Sequence, residues 1–316
     1  MRQEDRSRLL SDLAQAVVTN PGGIAIVGWT ETALEVRTWL HAAGLAAQDL
    51  GVFDDVATPG ADVSPIAAIC GVDPKIIVVA EDAGKQRLLD RLAEVVPPGP
   101  KIIVGGYGHV AFTDPIFDKV LDGSVVPSLA NGYPECRIHL YQCLANAARL
   151  GLSGTVVEFG MFRGGTTMLL SQFIEALGTS WPIIGFDTFD GFPPPRDVRD
   201  LYAHPGCVFR GEDAVRAMFA SRNVRIVAGD LVETARQLVG ERIVLAFLDT
   251  DNFTSATAAL DAIQEGVQVG GAIVFDHFTA RDRFVYTVGE RMAARRLLDD
   301  PRYFNLHGTG VFMRQR

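Results

Sequence analysis

The second half of the sequence places acidic residues directly after apolar runs that are typical of buried strands. Carboxylates accept hydrogen bonds from ribose or sugar hydroxyls, and they are hard oxygen ligands suited to Mg²⁺. Because ligands of open α/β sheets sit at the carboxyl ends of strands, these acids together predict one functional crevice. The strand-end residues are Glu158, Asp187, Asp230, Asp249 and the pair Asp276-His277.

A glycine-rich turn follows the first of these acids. Residues 158–165 read EFGMFRGG, a spacing of E-x-G-x-x-x-G-G, and a helix-like segment begins at Thr166. Glycines let a ligand approach the backbone closely, and a helix start presents free N–H groups. The spacing differs from the G-x-G-x-x-G of a nicotinamide dinucleotide site. An acid before the first glycine suits a cationic or amino-bearing ligand such as S-adenosylmethionine, although a tight structural connection would use the same turn.

Alternating strands and helices must position these residues. The segment from Gly154 to Pro193 predicts a strand, the turn, a helix and a second strand that ends in Asp187. The proline-rich stretch 192–209 then predicts an ordered loop or lid over the site. The alternation predicts an α/β fold with a doubly wound, mostly parallel sheet. Further strands are expected at 224–230, 243–248 and 272–275, helices at 134–151 and 255–265, and a closing strand pair within 303–314.

The first part of the chain has the same alternation on a smaller scale. It predicts a smaller Rossmann-like α/β domain, residues 1–128, before a second domain of residues 129–316. Its first turn, Gly28-Trp29-Thr30-Glu31, lacks the glycine fingerprint of a nucleotide site. We therefore expect an auxiliary domain used for packing, oligomerisation or substrate enclosure. The turn-rich stretch 123–133 is the predicted linker.

Composition excludes several classes of protein. The net charge of −9 argues against non-specific binding to nucleic acid or to anionic membranes. No apolar run approaches the roughly 18 residues of a membrane span, and the first residues lack the apolar core of a signal peptide. The sequence thus predicts a cytoplasmic protein with a small-molecule substrate that assembles as a homo-oligomer, a dimer or higher. Reduced thiols without a zinc spacing are expected at Cys70, Cys136, Cys143 and Cys207.

On these motifs, residues 134–316 resemble a class I S-adenosylmethionine-dependent methyltransferase. More closely, they resemble the macrocin O-methyltransferase family, which methylates sugar hydroxyls in antibiotic biosynthesis. The residues before about 128 lie outside this match and faintly resemble the nucleotide-binding-like N-terminal modules of sugar acyltransferases. Three blocks carry the resemblance: VEFGMFRGGT (157–166), GFDTFDGFP (185–193), and LDTD (248–251) with Ser255, continuing to Gly270-Gly271 and Asp276.

The resemblance implies a set of cofactor-binding residues. Glu158, Gly160, Gly164 and Thr166 would hold the methionine end of S-adenosylmethionine, and Asp187 would take the ribose hydroxyls. Gly229 and Asp230 would lie beside the adenine. The same blocks add four further residues to the expected cofactor-binding set: Arg163, Gly165, Thr188 and Phe189.

The resemblance also implies a magnesium ion that orients the acceptor hydroxyls. The family binds it through a strand-end Asp and a following Asp-Asp pair, which match Asp249 and Asp276, but His277 stands at the last position. His277 would be a third ligand or, because its unperturbed pKa is close to 6.5, the general base. The alternative is a strand-end histidine hydrogen-bonded to the backbone. Asp249 and His277 are the expected catalytic residues. Asp251 is expected to be the N-cap of the following helix, and Asn252-Phe253 stands where the family usually has a tyrosine.

Three functions are compatible with these residues. The leading hypothesis is a metal-assisted O-methyltransferase acting on a hydroxyl of a sugar or another polar secondary metabolite. The second keeps the cofactor without the metal and uses His277 as base toward an oxygen or nitrogen acceptor. The third is a non-catalytic S-adenosylmethionine-binding or assembly subunit, which the acids at all the strand ends disfavour.

Overall fold

The structure, a computed structural model, describes residues 1–56, 62–108, 112–124, 126–279 and 285–316. The chain forms two compact units, Met1–Phe112 and Thr113–Arg316. The sequence predicts the boundary at residue 128, later than this division. The residues in between join the second unit because Phe117 stacks on Phe173, with ring centroids 5.7 Å apart, and the Tyr141 hydroxyl donates to Asp114.

The described part of the first unit contains a five-stranded parallel sheet in the order β3-β2-β1-β4-β5. The central strands read IAIV and IIVV and are buried throughout, as expected for a parallel sheet covered on both faces. The predicted Rossmann-like arrangement is confirmed. The elements are α1 (Gln3–Thr19), β1 (Ile24–Val27), α2 (Glu31–Ala42), β2 (Asp49–Phe53), β3 (Val63–Ser64), β4 (Ile76–Val79), α3 (Lys85–Val95) and β5 (Lys101–Val104).

The turn after β1 is closed by its own side chains. Thr30 caps α2, accepting from Ala33 N, and its hydroxyl donates to Ala80 O at 2.9 Å. The carboxylate of Asp54, at the end of β2, accepts from Trp29 N at 2.8 Å. In a dinucleotide site, backbone N–H groups of the first turn face the pyrophosphate. Here the Trp29 N–H is already taken by Asp54, which agrees with the missing glycine fingerprint.

Among the described residues of the second unit, seven strands form one sheet in the order β11-β12-β10-β9-β6-β7-β8. The pairs from β10 to β8 are parallel, and β12 runs antiparallel to both of its neighbours. The strands are β6 (Thr155–Phe159), β7 (Ile183–Asp187), β8 (Val224–Ala228), β9 (Ile243–Leu248), β10 (Val267–Phe275), β11 (Tyr303–Asn305) and β12 (Val311–Arg314).

Helices cover both faces of this sheet, so the predicted doubly wound fold is confirmed. α5 and α6 pack on one face, and α9 and α10 lie together on the other. None of the described helices has the length and apolar character needed to cross a bilayer. The helices are α4 (Pro115–Asp122), α5 (Cys136–Arg149), α6 (Gly165–Ala176), α7 (Glu212–Met218), α8 (Leu231–Thr234), α9 (Phe253–Ile263) and α10 (Val288–Leu298).

Candidate active site

The carboxyl ends of β6, β9 and β10 lie side by side at one edge of the second sheet. Leu248 at the end of β9 pairs with Phe159 of β6 and with Phe275 of β10. Asp249 and Asp276 therefore leave neighbouring parallel strands at the same edge, which is the geometry expected of a ligand crevice.

A cavity of about 360 Å³ opens at this edge. Part of the predicted site lines it: Gly160, Asp187, Thr188, Gly229, Asp249 and His277. The other predicted residues are not among those that line it: Glu158, Arg163, Gly164, Gly165, Thr166, Phe189, Asp230 and Asp276. The lining also includes residues outside the predicted set of site residues, among them Leu129, Asn131, Phe162, Asp251, Cys207 and Leu231.

Leu129 and Asn131 belong to the stretch predicted as a linker, which instead packs against the site. Ser128 Oγ lies 2.8 Å from Thr166 Oγ1. A Cβ added at Gly165 would lie 2.1 Å from the Pro127 carbonyl oxygen, so the helix start requires glycine for this approach. These contacts join residues about 38 positions apart in the sequence, so local periodicity does not predict them.

Gly160 is required by the meeting of two strand ends. Its φ is +90°, and an added Cβ would lie 2.0 Å from the Asp249 carbonyl oxygen. The Gly160 N–H donates to Phe186 O at 2.9 Å, which ties the turn to β7 as well. The first glycine of the motif therefore sets the position of Asp249.

Glu158 lies in a buried environment, one residue before the end of β6. Its side chain is 1% exposed, and Oε2 accepts a short hydrogen bond from the Thr167 hydroxyl. Burial raises the pKa of Glu158 to about 8. Arg163, by contrast, is exposed, and its guanidinium lies over the rings of Phe162 and Phe209 at 5.0 and 5.2 Å from their centroids.

Asp187 ends β7 with its carboxylate turned toward the glycine-rich turn. Oδ2 accepts from Phe162 N at 2.8 Å and Oδ1 accepts from Phe189 N at 2.7 Å. Burial raises the pKa of Asp187, while these backbone donors lower it. Thr188 donates to Gly191 O, which closes the turn after the strand.

Gly229 and Asp230 follow β8. Gly229 has φ +128° and lines the cavity. Asp230 instead caps α8, where Oδ1 accepts from Val232 N at 3.0 Å, and Oδ2 lies 2.8 Å from Arg196 Nη2.

An acidic centre forms where β9 and β10 end. His277 Nε2 lies 3.2 Å from Asp251 Oδ1 and 3.8 Å from Asp249 Oδ1. Each of the three residues offers one ligand atom, and these atoms lie within 4.8 Å of one another. Burial lowers the pKa of His277, but the Asp251 hydrogen bond and surrounding carboxylates outweigh it and raise the pKa to about 9. Burial and the charges of Asp276 and Asp251 raise the pKa of Asp249 well above its ordinary value.

The expected N-cap role of Asp251 is wrong. α9 begins at Phe253 with Asn252 as the flanking residue, and Asp251 has φ +59°. This left-handed backbone turns the Asp251 side chain toward His277 rather than toward the helix start. The sequence pattern of an acid before a helix predicted a cap because the distance to His277 is visible only in the fold.

Asp276, predicted as a metal ligand, lies outside this three-residue group. Its Oδ1 accepts from Asn131 N at 2.9 Å and from Gly132 N at 2.8 Å, and Oδ2 lies 3.4 Å from His277 Nε2. Asp276 Oδ1 therefore binds the backbone of the stretch that the sequence predicts as a linker. The geometry favours Asp251 over Asp276 as the partner of Asp249 and His277.

The strand order, with an antiparallel β12 between β10 and the edge strand β11, is that of class I methyltransferases. The cavity at the carboxyl ends of the parallel strands is where such a fold holds its ligands. Residues 126–315 match the family model described as Macrocin-O-methyltransferase (TylF), which is more than half of the chain. The chain belongs to the macrocin O-methyltransferase family and is a methyltransferase.

Similar proteins include an O-methyltransferase of Streptomyces olivaceus. It is the 8-demethyl-8-(2,3-dimethoxy-alpha-L-rhamnosyl)-tetracenomycin-C 4'-O-methyltransferase, 28% identical over 217 residues, which cover 64% of this chain and 82% of the relative. Solved structures that the chain is similar to include the O-methyltransferase NovP, with 19% identity, a TM-score of 0.46 and coverage of 57% and 78% of the two chains. The calicheamicin methyltransferase CalS11 has 21% identity, a TM-score of 0.43 and coverage of 73% and 85%.

Proposed function

We propose that this protein transfers the methyl group of S-adenosylmethionine to a hydroxyl group of a sugar or another polar secondary metabolite. One observation carries the proposal: Gly160 and Asp187 line the same cavity as Asp249, Asp251 and His277. The first two suit a nucleoside-bearing cofactor, and the other three suit an acceptor hydroxyl. The name of the relative from Streptomyces olivaceus includes a rhamnosyl-bearing substrate, and this supports a sugar acceptor.

The cofactor would lie across the ends of β6, β7 and β8. Asp187 would accept hydrogen bonds from the ribose hydroxyls, and Gly229 would leave room beside the adenine. The methionine end would approach Gly160 and the start of α6 at Gly164 and Thr166. Glu158 lies behind this turn, and the positive charge of the amino group would lower its raised pKa, so that it would become the negative partner once the cofactor binds.

A divalent cation fits the acidic centre. Two carboxylates and one imidazole, from Asp249, Asp251 and His277, place their ligand atoms within 4.8 Å of one another. Carboxylate oxygens are ligands of both Mg²⁺ and Mn²⁺. The imidazole favours Mn²⁺, which is the softer of these two ions. Such a cation lowers the pKa of a hydroxyl bound to it, which is the activation that a sugar hydroxyl needs at neutral pH. The carboxylates would also orient the acceptor, because methyl transfer depends on alignment with the donor.

The pairing of His277 with Asp251 supports a second mechanism within the same function. A carboxylate 3.2 Å from an imidazole nitrogen orients the ring as a general base requires. In this mechanism His277 removes the proton of an oxygen or nitrogen acceptor without a metal, and because a pKa of about 9 keeps the imidazole protonated at neutral pH, the rate should rise toward pH 9.

The experiment is a methyl-transfer assay with radiolabelled S-adenosylmethionine against free sugars, nucleotide-linked sugars and glycosides. Parallel reactions contain excess chelator, Mg²⁺ or Mn²⁺. We expect transfer to a sugar hydroxyl that chelator abolishes and metal restores. Full turnover in excess chelator, combined with an inactive His277→Ala variant, would refute the metal and leave the histidine base. Binding of S-adenosylhomocysteine without methylation of any sugar-bearing acceptor would refute the acceptor class.

A further inference from the structure

Glu290 is a fully buried carboxylate that accepts hydrogen bonds from both loops of the acidic centre. Its Oε2 accepts from Thr250 N at 2.7 Å, Thr250 Oγ1 at 3.0 Å and Asp251 N at 2.9 Å. Its Oε1 accepts from His277 N at 3.1 Å. One side chain on α10 therefore joins the loop after β9 to the loop after β10.

The turn that Glu290 holds is a strained one. Asp251 has φ +59°, a left-handed backbone conformation that residues other than glycine seldom adopt. In the same turn, Asn252 N donates to Thr250 O at only 2.6 Å. Two successive N–H groups of this turn point at a single oxygen of Glu290. Because these N–H groups, the Thr250 hydroxyl and the His277 N–H all donate to its two oxygens, Glu290 stabilises the conformation that aims Asp251 at His277.

The apolar side of α10 would anchor the helix without this residue. Ala293, Ala294 and Leu297 are buried in the main core cluster of the second unit. A buried carboxylate is costly unless its hydrogen bonds are made, so its presence at the start of such a helix requires a compensating role. The donors around it belong to the loops of the acidic centre, and that is the role that the contacts indicate.

We infer that Glu290 is a positioning residue for the methyl-transfer site, an inference that rests on the function proposed above. Glu290 does not line the cavity and is not one of the three residues whose ligand atoms cluster. It acts through Thr250, Asp251 and His277, whose backbone it fixes. Loss of Glu290 should therefore change the acidic centre while leaving the cofactor side of the cavity intact.

The experiment compares Glu290→Gln with wild type, with Leu297→Val as the control on the same helix. Glutamine keeps the shape of the side chain, but it replaces one of the two accepting oxygens with an NH₂ group. Because N–H groups donate to both oxygens of Glu290, the NH₂ group would face an N–H donor and that hydrogen bond would be lost. We expect kcat to fall about 100-fold and Mn²⁺ affinity at least about tenfold, with the Kd for S-adenosylhomocysteine within about threefold. Amide hydrogen exchange should be faster in peptides covering 248–253 and 275–279. Leu297→Val should lower the melting temperature and leave these measurements unchanged.

Should Glu290→Gln fail to fold, Thr250→Val removes one hydrogen bond to Oε2 and should give a smaller change in the same direction. Wild-type exchange rates and Mn²⁺ affinity in the folded variant would overturn the inference, as would parallel losses of Mn²⁺ and S-adenosylhomocysteine binding. If the wild-type protein methylates no acceptor, the proposed function fails, whereas a wild-type protein that binds no Mn²⁺ refutes only the metal. The exchange rates of the two loops still decide the role of Glu290 in that case.

Discussion

Asn252 and Tyr202 hold each other through two hydrogen bonds. Tyr202 N donates to Asn252 Oδ1 at 2.9 Å, and Asn252 Nδ2 donates to the Tyr202 carbonyl oxygen at 2.8 Å. Nearby, Asp200 accepts from Thr254 N at 2.8 Å, and the Arg199 guanidinium lies 3.3 Å from the centroid of the Phe253 ring. The proline-rich loop is thus fastened to the start of α9 and forms a wall of the cavity.

Replacing Asn252 with alanine should loosen this wall. Because the hydrogen bonds go to the backbone of the loop, we expect the acceptor KM to rise about tenfold, with little change in S-adenosylhomocysteine affinity. Steady-state kinetics with varied acceptor measures the effect. The matched control is Asn223→Ala, whose amide contacts Ser180 O away from the cavity and whose loss should leave KM unchanged. An unchanged acceptor KM in Asn252→Ala would show that the wall does not contact the acceptor.

Asp187→Ala should weaken the binding of S-adenosylhomocysteine by at least tenfold, which is about 1.4 kcal/mol. The carboxylate lines the cavity, and its removal takes away the acceptor proposed for the ribose hydroxyls. Isothermal calorimetry measures the affinity. The control is Asp190→Ala, a nearby exposed acid paired with Arg210, which should bind like wild type. Binding of NAD by the wild-type protein, without binding of S-adenosylhomocysteine, would contradict the cofactor assignment.

Asp249→Asn and Asp251→Asn should each lower kcat much more than they weaken cofactor binding, because the acidic centre acts on the acceptor. His277→Asp restores the acidic pair of the family and should keep metal-dependent activity if His277 is a ligand. The same variant should be nearly inactive with any metal if His277 is the base. Rates with Mg²⁺ and Mn²⁺ distinguish these outcomes, with the exposed Asp261→Asn as the control. A wild-type kcat in Asp251→Asn would remove Asp251 from the site.

The strand ends could be predicted from the sequence, and the contacts that join them could not. Apolar runs mark strands, and parallel strands place their carboxyl ends at one edge, so Asp187 and Asp249 were predictable as neighbours of one crevice. Asn131 and Glu290 reach the site from distant parts of the chain without a periodic pattern or a motif. The local sequence of Asp251 resembles a helix cap, whereas its partner in the fold is His277.

The buried state of Glu158 gives a last prediction, which concerns stability and pH. Its pKa is raised to about 8 in the folded protein, mainly by burial, against 4.5 for an ordinary glutamate. Between these pH values the folded protein keeps a proton on Glu158 that the unfolded chain has lost. The contribution of Glu158 to the free energy of unfolding is therefore most favourable at or below pH 4.5 and declines as the pH rises toward 8. The steepest loss is about 1.4 kcal/mol per pH unit.

Glu158→Gln should flatten that decline, because glutamine stays neutral and its amide oxygen still accepts from Thr167. The measurement is the free energy of unfolding in urea, without cofactor, at several pH values from 5 to 8. The difference between variant and wild type isolates Glu158 from other buried acids that titrate in the same range. Glu175→Gln, a matched exposed glutamate on α6, should leave the slope unchanged. Parallel pH profiles for Glu158→Gln and wild type would show that Glu158 is already ionised in the folded protein.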